Sequence, residues 1–448
     1  MDKKHHWLFK DMSYKSAVST LAIGSLLLVI SGCDNTVRNH RTAGVTDTVI
    51  HNQPAINNQT PPIEVKALPS TPEGIAEVVT ANNQFAIDMY QQINGQNKQT
   101  ENNVFFSPYS LSTAMAMLYA AAEGETKAQI QKTFHYPAQA ILNSNSTSLY
   151  NQFNQSNPDY KLTMVNDLWM QQGLTLTKSY VDTVQRYYSG QVTALDFEGN
   201  SDPARQTINK KIAERTKQLI PELLPKGSIK SDTAVVLTNA VYFKGDWTMP
   251  FTAERTSAKP FYNAIGRAST VQMMQQQSYF SYYEDKHIQV VELPYKGNDL
   301  SMLVVLPKLN HKLAMQQLAK SLSATKIKQW SSGLVRQEVN LHLPKFKLDA
   351  RYQMKTLLSD MGMPRAFNNG AEFNLYADGP PIKLDEVYHQ AVVIVDEKGT
   401  EAAAAAGAVG MYVGMSYPVE FKADHPFMFM IKDNKTDAIL FLGQVNEP

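Results

Sequence analysis

Apolar residues between positions 75 and 94 recur at helical spacing. Val78, Val79, Phe85, Ala86, Met89 and Ile93 fall on one face, which predicts an amphipathic helix over 75–94. A second helix is predicted after Ser107-Pro108, where Leu111, Ala114, Met115, Leu118 and Tyr119 share a face. Ser107 suits its cap, and Pro108 suits a first turn that needs no N–H. Further helices are predicted near 125–134, 203–218 and 312–320. Strands are predicted at 234–243, 289–293, 301–306, 339–343, 391–395, 427–431 and 438–442. Helices gather in the first half and strands in the second, and no internal repeat is visible. This order predicts an α+β domain over 75–448 rather than a regularly alternating fold.

Upstream of this body the pattern is different. Lys3, Lys4, Lys10 and Lys15 precede an apolar stretch from Ala17 to Ile30, too short to span a bilayer comfortably. That layout predicts a secretory signal peptide over 1–32. The stretch ends Ile30-Ser31-Gly32-Cys33, which resembles the lipobox of bacterial lipoproteins, where the cysteine is lipidated and becomes the first mature residue. The simpler alternative is an ordinary signal with a chance cysteine, yet Cys33 is the chain's single cysteine and falls where the motif requires it. Two or more acyl chains there would give a stable membrane anchor. From Cys33 to Gly74 the chain is polar and punctuated by Pro61-Pro62 and Pro69-Ser-Thr-Pro72, with no apolar run at helical spacing. It is predicted to be a flexible tether over 33–74, the alternative being an extended arm packed on the body.

Composition narrows the function classes. The 448 residues carry 42 basic and 41 acidic side chains, a net charge of +1, so no clustered excess of Lys and Arg suggests a nucleic-acid partner. One cysteine excludes intramolecular disulfides, CxxC redox chemistry and Cys-rich zinc sites. There is no G-x-S-x-G elbow, no H-E-x-x-H and no nucleotide-binding glycine motif, and the ten histidines do not pair at metal-ligand spacing. No cofactor is expected.

One segment is unusual. Ala391-Val-Val-Ile-Val395 is a β-branched run, hence a buried strand, and Asp396 to Gly399 breaks it. Then come Thr400, Glu401 and five alanines, Ala402 to Ala406, before Gly407, Gly410, Gly414 and a closing Pro418. A short helix followed by a surface loop is the plain reading. A second reading uses the side chains better. From Thr400 to Ala408 nothing is bulky, aromatic or proline, so the stretch could enter a gap between two strands and keep every N–H for the ladders. Gly399 would be its hinge.

Here the sequence resembles the serpin family. Glu397-Lys-Gly-Thr-Glu-Ala-Ala-Ala-Ala405 looks like the proximal hinge of inhibitory serpins. Phe421-Lys-Ala-Asp-His-Pro-Phe-Met-Phe-Met-Ile431 is similar to the family's C-terminal signature. Asn103-Val-Phe-Phe-Ser-Pro-Tyr-Ser110 resembles its shutter-region opening, and Thr238-Asn-Ala-Val-Tyr-Phe-Lys-Gly-Asp-Trp247 resembles the strand that ends at its breach tryptophan. The four motifs stand in family order across about 75–448.

The resemblance implies a serpin fold: helices packed around three β-sheets, with an exposed, insertable reactive-centre loop at about 397–420. It implies inhibition by a suicide-substrate route, in which a protease cleaves the loop, is held as an acyl-enzyme and is carried across the body as the loop becomes a new central strand. Glu397, Gly399, Thr400, Glu401, Ala402, Ala403, Ala404 and Ala405 take the hinge role. Ser107, Ser110, Asn239 and His389 match shutter positions, although a buried histidine is by default a satisfied core residue. Trp247 matches the breach, with core packing as its plain alternative. Counting from Gly399 places the scissile bond at Val413-Gly414, while counting back from Phe427 places it at Met415-Ser416, and Tyr412 is a third candidate. No Lys or Arg lies between Lys398 and Lys422, so trypsin-like enzymes should be poor targets. Elastase-, chymotrypsin- or subtilisin-like serine proteases fit better, and a cysteine protease is left open. A monomer is expected, lipid-anchored through Cys33 in a bacterial envelope. The competing readings are a non-inhibitory serpin acting as a binding or folding module, which would carry bulkier hinge residues, and an unrelated envelope enzyme. Ala406, where many inhibitory relatives carry threonine, is one departure.

Overall fold

The structure, a computed structural model, describes residues 69–96, 102–154, 157–188, 190–311, 313–376, 382–399 and 417–448. The chain divides into two compact units, 1–64 and 65–448, and every described residue belongs to the second. The first half contains α1 (Pro72–Gln96), β1 (Val104–Phe106), α2 (Pro108–Tyr119), α3 (Gly124–Phe134) and α4 (Gln139–Asn154). These are followed by β2 (Tyr160–Gln171), α5 (Lys178–Tyr188), β3 (Gln191–Leu195), α6 (Phe197–Arg215) and β4 (Val235–Gly245). Then come β5 (Ser257–Tyr262), β6 (Ala268–Glu284), β7 (Ile288–Pro294), β8 (Leu300–Pro307), α7 (Ala314–Ser321) and α8 (Ala324–Ser332). The chain closes with β9 (Val335–Pro344), β10 (Phe346–Gln353), α9 (Lys355–Asp360), β11 (Glu386–Val395), β12 (Val419–Lys422), β13 (Phe427–Asp433) and β14 (Ile439–Val445).

Where periodicity was strong, expectation and structure coincide within a few residues. The first helix begins earlier than predicted, and its cap explains why. Thr71 Oγ1 accepts the Gly74 amide at 3.0 Å and Pro72 fills a first-turn position. Ser70 Oγ and the Thr71 amide both donate to Asn145 Oδ1 of α4, each at 3.0 Å. Residues 69–74, expected within a flexible tether, are therefore fastened to the body, and the rest of that expectation, 33–68, lies outside the described residues. The helix predicted at 203–218 is the second of two pieces of α6 that meet at Asn200, with Pro203 in its first turn, and it ends at Arg215. β2 and β6 escaped prediction because their polar residues break any apolar alternation: Asn166 and Asp167 in β2, and Gln275-Gln-Gln-Ser278 in β6.

Among the described residues the strands form two hydrogen-bonded sheets instead of the three expected. The 17-residue β6 is the reason. Its later residues pair with β7 and its earlier ones with β5, while β9 runs along the other edge, so what would be two sheets becomes one nine-stranded network. The second sheet has five strands in the order β10-β11-β4-β2-β3. In it β4 and β11 are parallel neighbours, from Glu386 opposite Val236 to Val393 opposite Phe243.

Both faces of the five-stranded sheet are covered. In β4, Val235, Leu237, Val241 and Phe243 enter the main core beneath α2, whereas Val236, Ala240 and Tyr242 enter a smaller core shared with α6. This period-2 split explains why β4 and β11 read as continuous apolar runs. It also fixes which polar residues meet: Asn166, Asn239 and His389 all stand at positions facing α2.

Candidate functional site

α2 starts at the middle of this sheet. Ser107 is its cap, and Ser107 Oγ accepts the Ser110 amide at 3.1 Å while donating to the Leu440 carbonyl of β14 at 2.6 Å. The Ser107 amide donates to His389 Nε2 at 3.2 Å. Because Nε2 accepts, the imidazole proton sits on Nδ1, which donates to Asn239 Oδ1 at 2.5 Å. Asn239 Nδ2 donates to Ser110 Oγ at 2.6 Å, to the Ser110 carbonyl at 3.1 Å and to Asn166 Oδ1. Tyr352 of β10 stacks on the imidazole with centroids 6.2 Å apart. His389 is fully buried, and desolvation pushes its pKa down to about 3, against the smaller opposing effect of the Asn239 bond. The neutral ring is thus the only form this network holds at ordinary pH.

The geometry defines a lock. His389 and Asn239 are register partners on β11 and β4, and their side chains bond across the ladder. No strand can enter between β4 and β11 without breaking that bond and the ladder together. Ser107, Ser110, Asn239 and His389 are brought together as expected. Asn166 completes the set and was missed, because a lone asparagine within a strand of mixed polarity carries no signal until β2 is placed beside β4.

The upper end of the slot is latched by different groups. β11 ends in a turn from Asp396 to Gly399. The Trp247 amide donates to the Lys398 carbonyl at 3.0 Å, the Phe251 amide to the Glu397 carbonyl at 2.7 Å, and Trp247 Nε1 to the Asp396 carbonyl at 3.0 Å. The indole stacks on Tyr295 at 4.5 Å and 15°, so Trp247 is both packed and bonded. Burial raises the Glu397 carboxyl, but the Lys345 ammonium at 2.7 Å and other hydrogen-bond donors outweigh it and hold the group below the usual carboxylate range. Gly399 has φ +105, and a Cβ there would lie 2.4 Å from the Gly245 carbonyl oxygen and 2.5 Å from the Trp247 nitrogen. Both the conformation and the space require glycine.

The remaining sequence-derived positions lie outside the described residues: Thr400, Glu401 and Ala402 to Ala405 of the hinge, the scissile candidates Tyr412, Val413, Gly414, Met415 and Ser416, and Cys33. The chain re-enters the described part at Tyr417, which is 89% exposed, and continues into β12, paired in parallel with β9.

A two-sheet body whose central parallel pair is held shut by a buried side-chain lock, directly followed by a turn and a run of small residues, has close counterparts among solved structures. Uncleaved ovalbumin superposes with a TM-score of 0.76 at 28% identity, covering 83% of this chain and 100% of that one. Human thyroxine-binding globulin complexed with its hormone matches with a TM-score of 0.76 and 28% identity over 84% of this chain and 99% of that one. The family model described as Serpin (serine protease inhibitor) matches residues 80–448, and the chain belongs to the serpin family. An uncharacterized serpin-like protein of Methanosarcina mazei is 40% identical over 378 residues, 83% of this chain and 88% of its own length. The leukocyte elastase inhibitor of Xenopus laevis is 39% identical over 81% of this chain and 97% of its own length. Serpins as a family are protease inhibitors rather than enzymes.

Proposed function

We propose that this serpin is an inhibitor that traps a serine protease through its loop. The observation that carries the reading is the closed slot: β4 and β11 pair directly, the lock and latch hold them, and Gly399 opens a stretch from Thr400 to Ala408 with no bulky side chain. A strand that enters later would complete two ladders at once, and cleavage of the loop is what frees it to do so. The attacking serine is held as an ester on the residue before the scissile bond, its proton passing to the leaving amine through the protease's own base. Insertion then moves the ester before water resolves it. The native state is held by a barrier, which is the role of the His389–Asn239 lock.

Val413-Gly414 is the favoured reactive bond, with elastase-, chymotrypsin- or subtilisin-like enzymes as targets. The similarity to an elastase inhibitor supports that choice. The test mixes a chain starting at Asp34 with pancreatic elastase, chymotrypsin, subtilisin and trypsin in separate reactions. A heat- and SDS-stable complex with one of the first three, and a released peptide whose mass begins at Gly414, are expected. Loop cleavage without a stable complex by every enzyme would defeat the inhibitory reading, and a complex with trypsin alone would defeat the loop register.

A second reading, a carrier without inhibitory action, is favoured only by the likeness to a globulin that binds thyroxine. We further propose that the protein is exported and anchored through Cys33 to an envelope membrane. Metabolic labelling with an alkyne fatty acid should mark the wild type and not Cys33→Ala.

A further inference from the structure

The body carries a concave feature that the trapping reaction does not use. A cavity of about 350 Å³ opens between the β7–β8 strand pair and helices α7 and α8. Its apolar wall includes Ile288, Leu318 and the indole of Trp330, all three of them buried residues of the main core. Leu309, on the segment that joins β8 to α7, also lines it and is 68% exposed. A large apolar side chain left in water at the edge of a preformed apolar hollow extends the surface that a ligand could cover.

The polar groups of the cavity include several donors. His287, His311 and Lys326 line it together with a single carboxylate, Asp285. That carboxylate is already engaged, because Asp285 Oδ1 accepts the His287 and Ile288 amides at 2.7 and 3.0 Å. His311 Nδ1 accepts the Leu313 amide at 3.2 Å, which leaves Nε2–H of the neutral ring as a donor. Lys326 sits in the first turn of α8 and forms no ion pair among the described residues. The cavity therefore offers an apolar wall and an ammonium with no ion-pair partner among the described residues, with two imidazoles beside it.

We propose that this cavity is a binding site for a small amphipathic carboxylate, with the apolar body against Trp330 and Leu318 and the anionic group on Lys326 and His311. A volume of about 350 Å³ lies at the lower end of ordinary ligand sites, so it suits one compact molecule and not a polypeptide side. The Lys326 ammonium selects an anion, because it forms no ion pair among the described residues and Asp285 Oδ1 already accepts two backbone amides. This proposal is independent of protease trapping.

The test titrates the full chain by calorimetry with 4-phenylbutyrate, with 4-phenylbutan-1-ol as the uncharged comparator and 4-phenylbutylamine as the cation. Phenylbutyrate is expected to bind one molecule per chain with a Kd between about ten and several hundred micromolar. The alcohol should bind at least about tenfold more weakly, as expected when one charge-assisted bond is lost, and the amine should not saturate. Lys326→Ala should weaken phenylbutyrate about tenfold with an unchanged urea midpoint, and Ala314→Phe should abolish binding by filling the mouth. Should Ala314→Phe fail to fold, the surface substitution Lys326→Ala still decides the matter. No saturable heat, alcohol binding as tight as the acid, or phenylbutyrate binding unaltered in Lys326→Ala would each overturn the assignment.

Discussion

Replacing His389 by glutamine tests the lock, and pH separates it from ordinary packing. In the folded chain the imidazole is held near a pKa of about 3, against 6.5 for the free group. Above pH 6.5 both states are neutral and the group adds no pH dependence. As pH falls below 6.5 the unfolded chain takes up a proton that the folded chain refuses, so folding loses stability progressively until pH approaches 3. The linkage amounts to about 2 kcal/mol at pH 5 and about 3 kcal/mol at pH 4. Glutamine has no such proton. At pH 7 the variant should cost about 1–3 kcal/mol, because glutamine loses the rigid ring stacked on Tyr352 and its freer amide must be ordered to keep the bonds to the Ser107 amide and Asn239 Oδ1. Between pH 7 and pH 5, however, the wild type should lose about 2 kcal/mol more than the variant. The assay is the first urea transition of each protein at the two pH values, followed by intrinsic fluorescence. Equal losses in both proteins would refute a neutral, buried His389 as the pH-sensitive element.

Three further outcomes follow from the same geometry. Gly399→Val should destabilise the closed state by about 2–4 kcal/mol, from positive φ and the collision with the Gly245 carbonyl, and should speed conversion to a loop-inserted form resistant to urea, seen on transverse urea gels. Trp247→Phe removes the bond to the Asp396 carbonyl but keeps an aromatic ring over Tyr295; it should lower the first urea midpoint by an amount matching about 1 kcal/mol, and an unchanged midpoint would show that the indole N–H bond adds nothing to the latch. Thr400→Arg would require a charge to be buried on insertion, at a cost of several kcal/mol, so target protease should cleave the loop and escape; the moles of inhibitor consumed per mole of enzyme should rise severalfold.

Much of the site was legible because its residues carry local signals. Ser107-Pro108 reads as a cap and first turn whatever surrounds it, and the structure places that cap where expected. Gly399 after a β-branched run reads as a break, and its positive φ bears this out. Thr71-Pro72 carries the same cap signal as Ser107-Pro108, yet the polar composition around it hid the helix start. Asn166 and the long β6 were illegible for a different reason: their polar residues are buried, or bonded across strands, only after distant chain segments arrive.

What the sequence determined by itself is the set of parts: the helical faces, the buried strands, the glycine that ends the last β-branched run, the small residues after it and the basic-then-apolar pattern before Cys33. These follow from periodicity and side-chain size, which act over a few residues. The tertiary structure alone decided that β4 and β11, about 150 positions apart, are parallel neighbours with Asn239 opposite His389. It also decided that the sheet is closed at that seam and that β6 joins two sheets into one. Pairing of this kind is set by non-local hydrogen bonds and by the burial of both sheet faces, and no short window of sequence contains either.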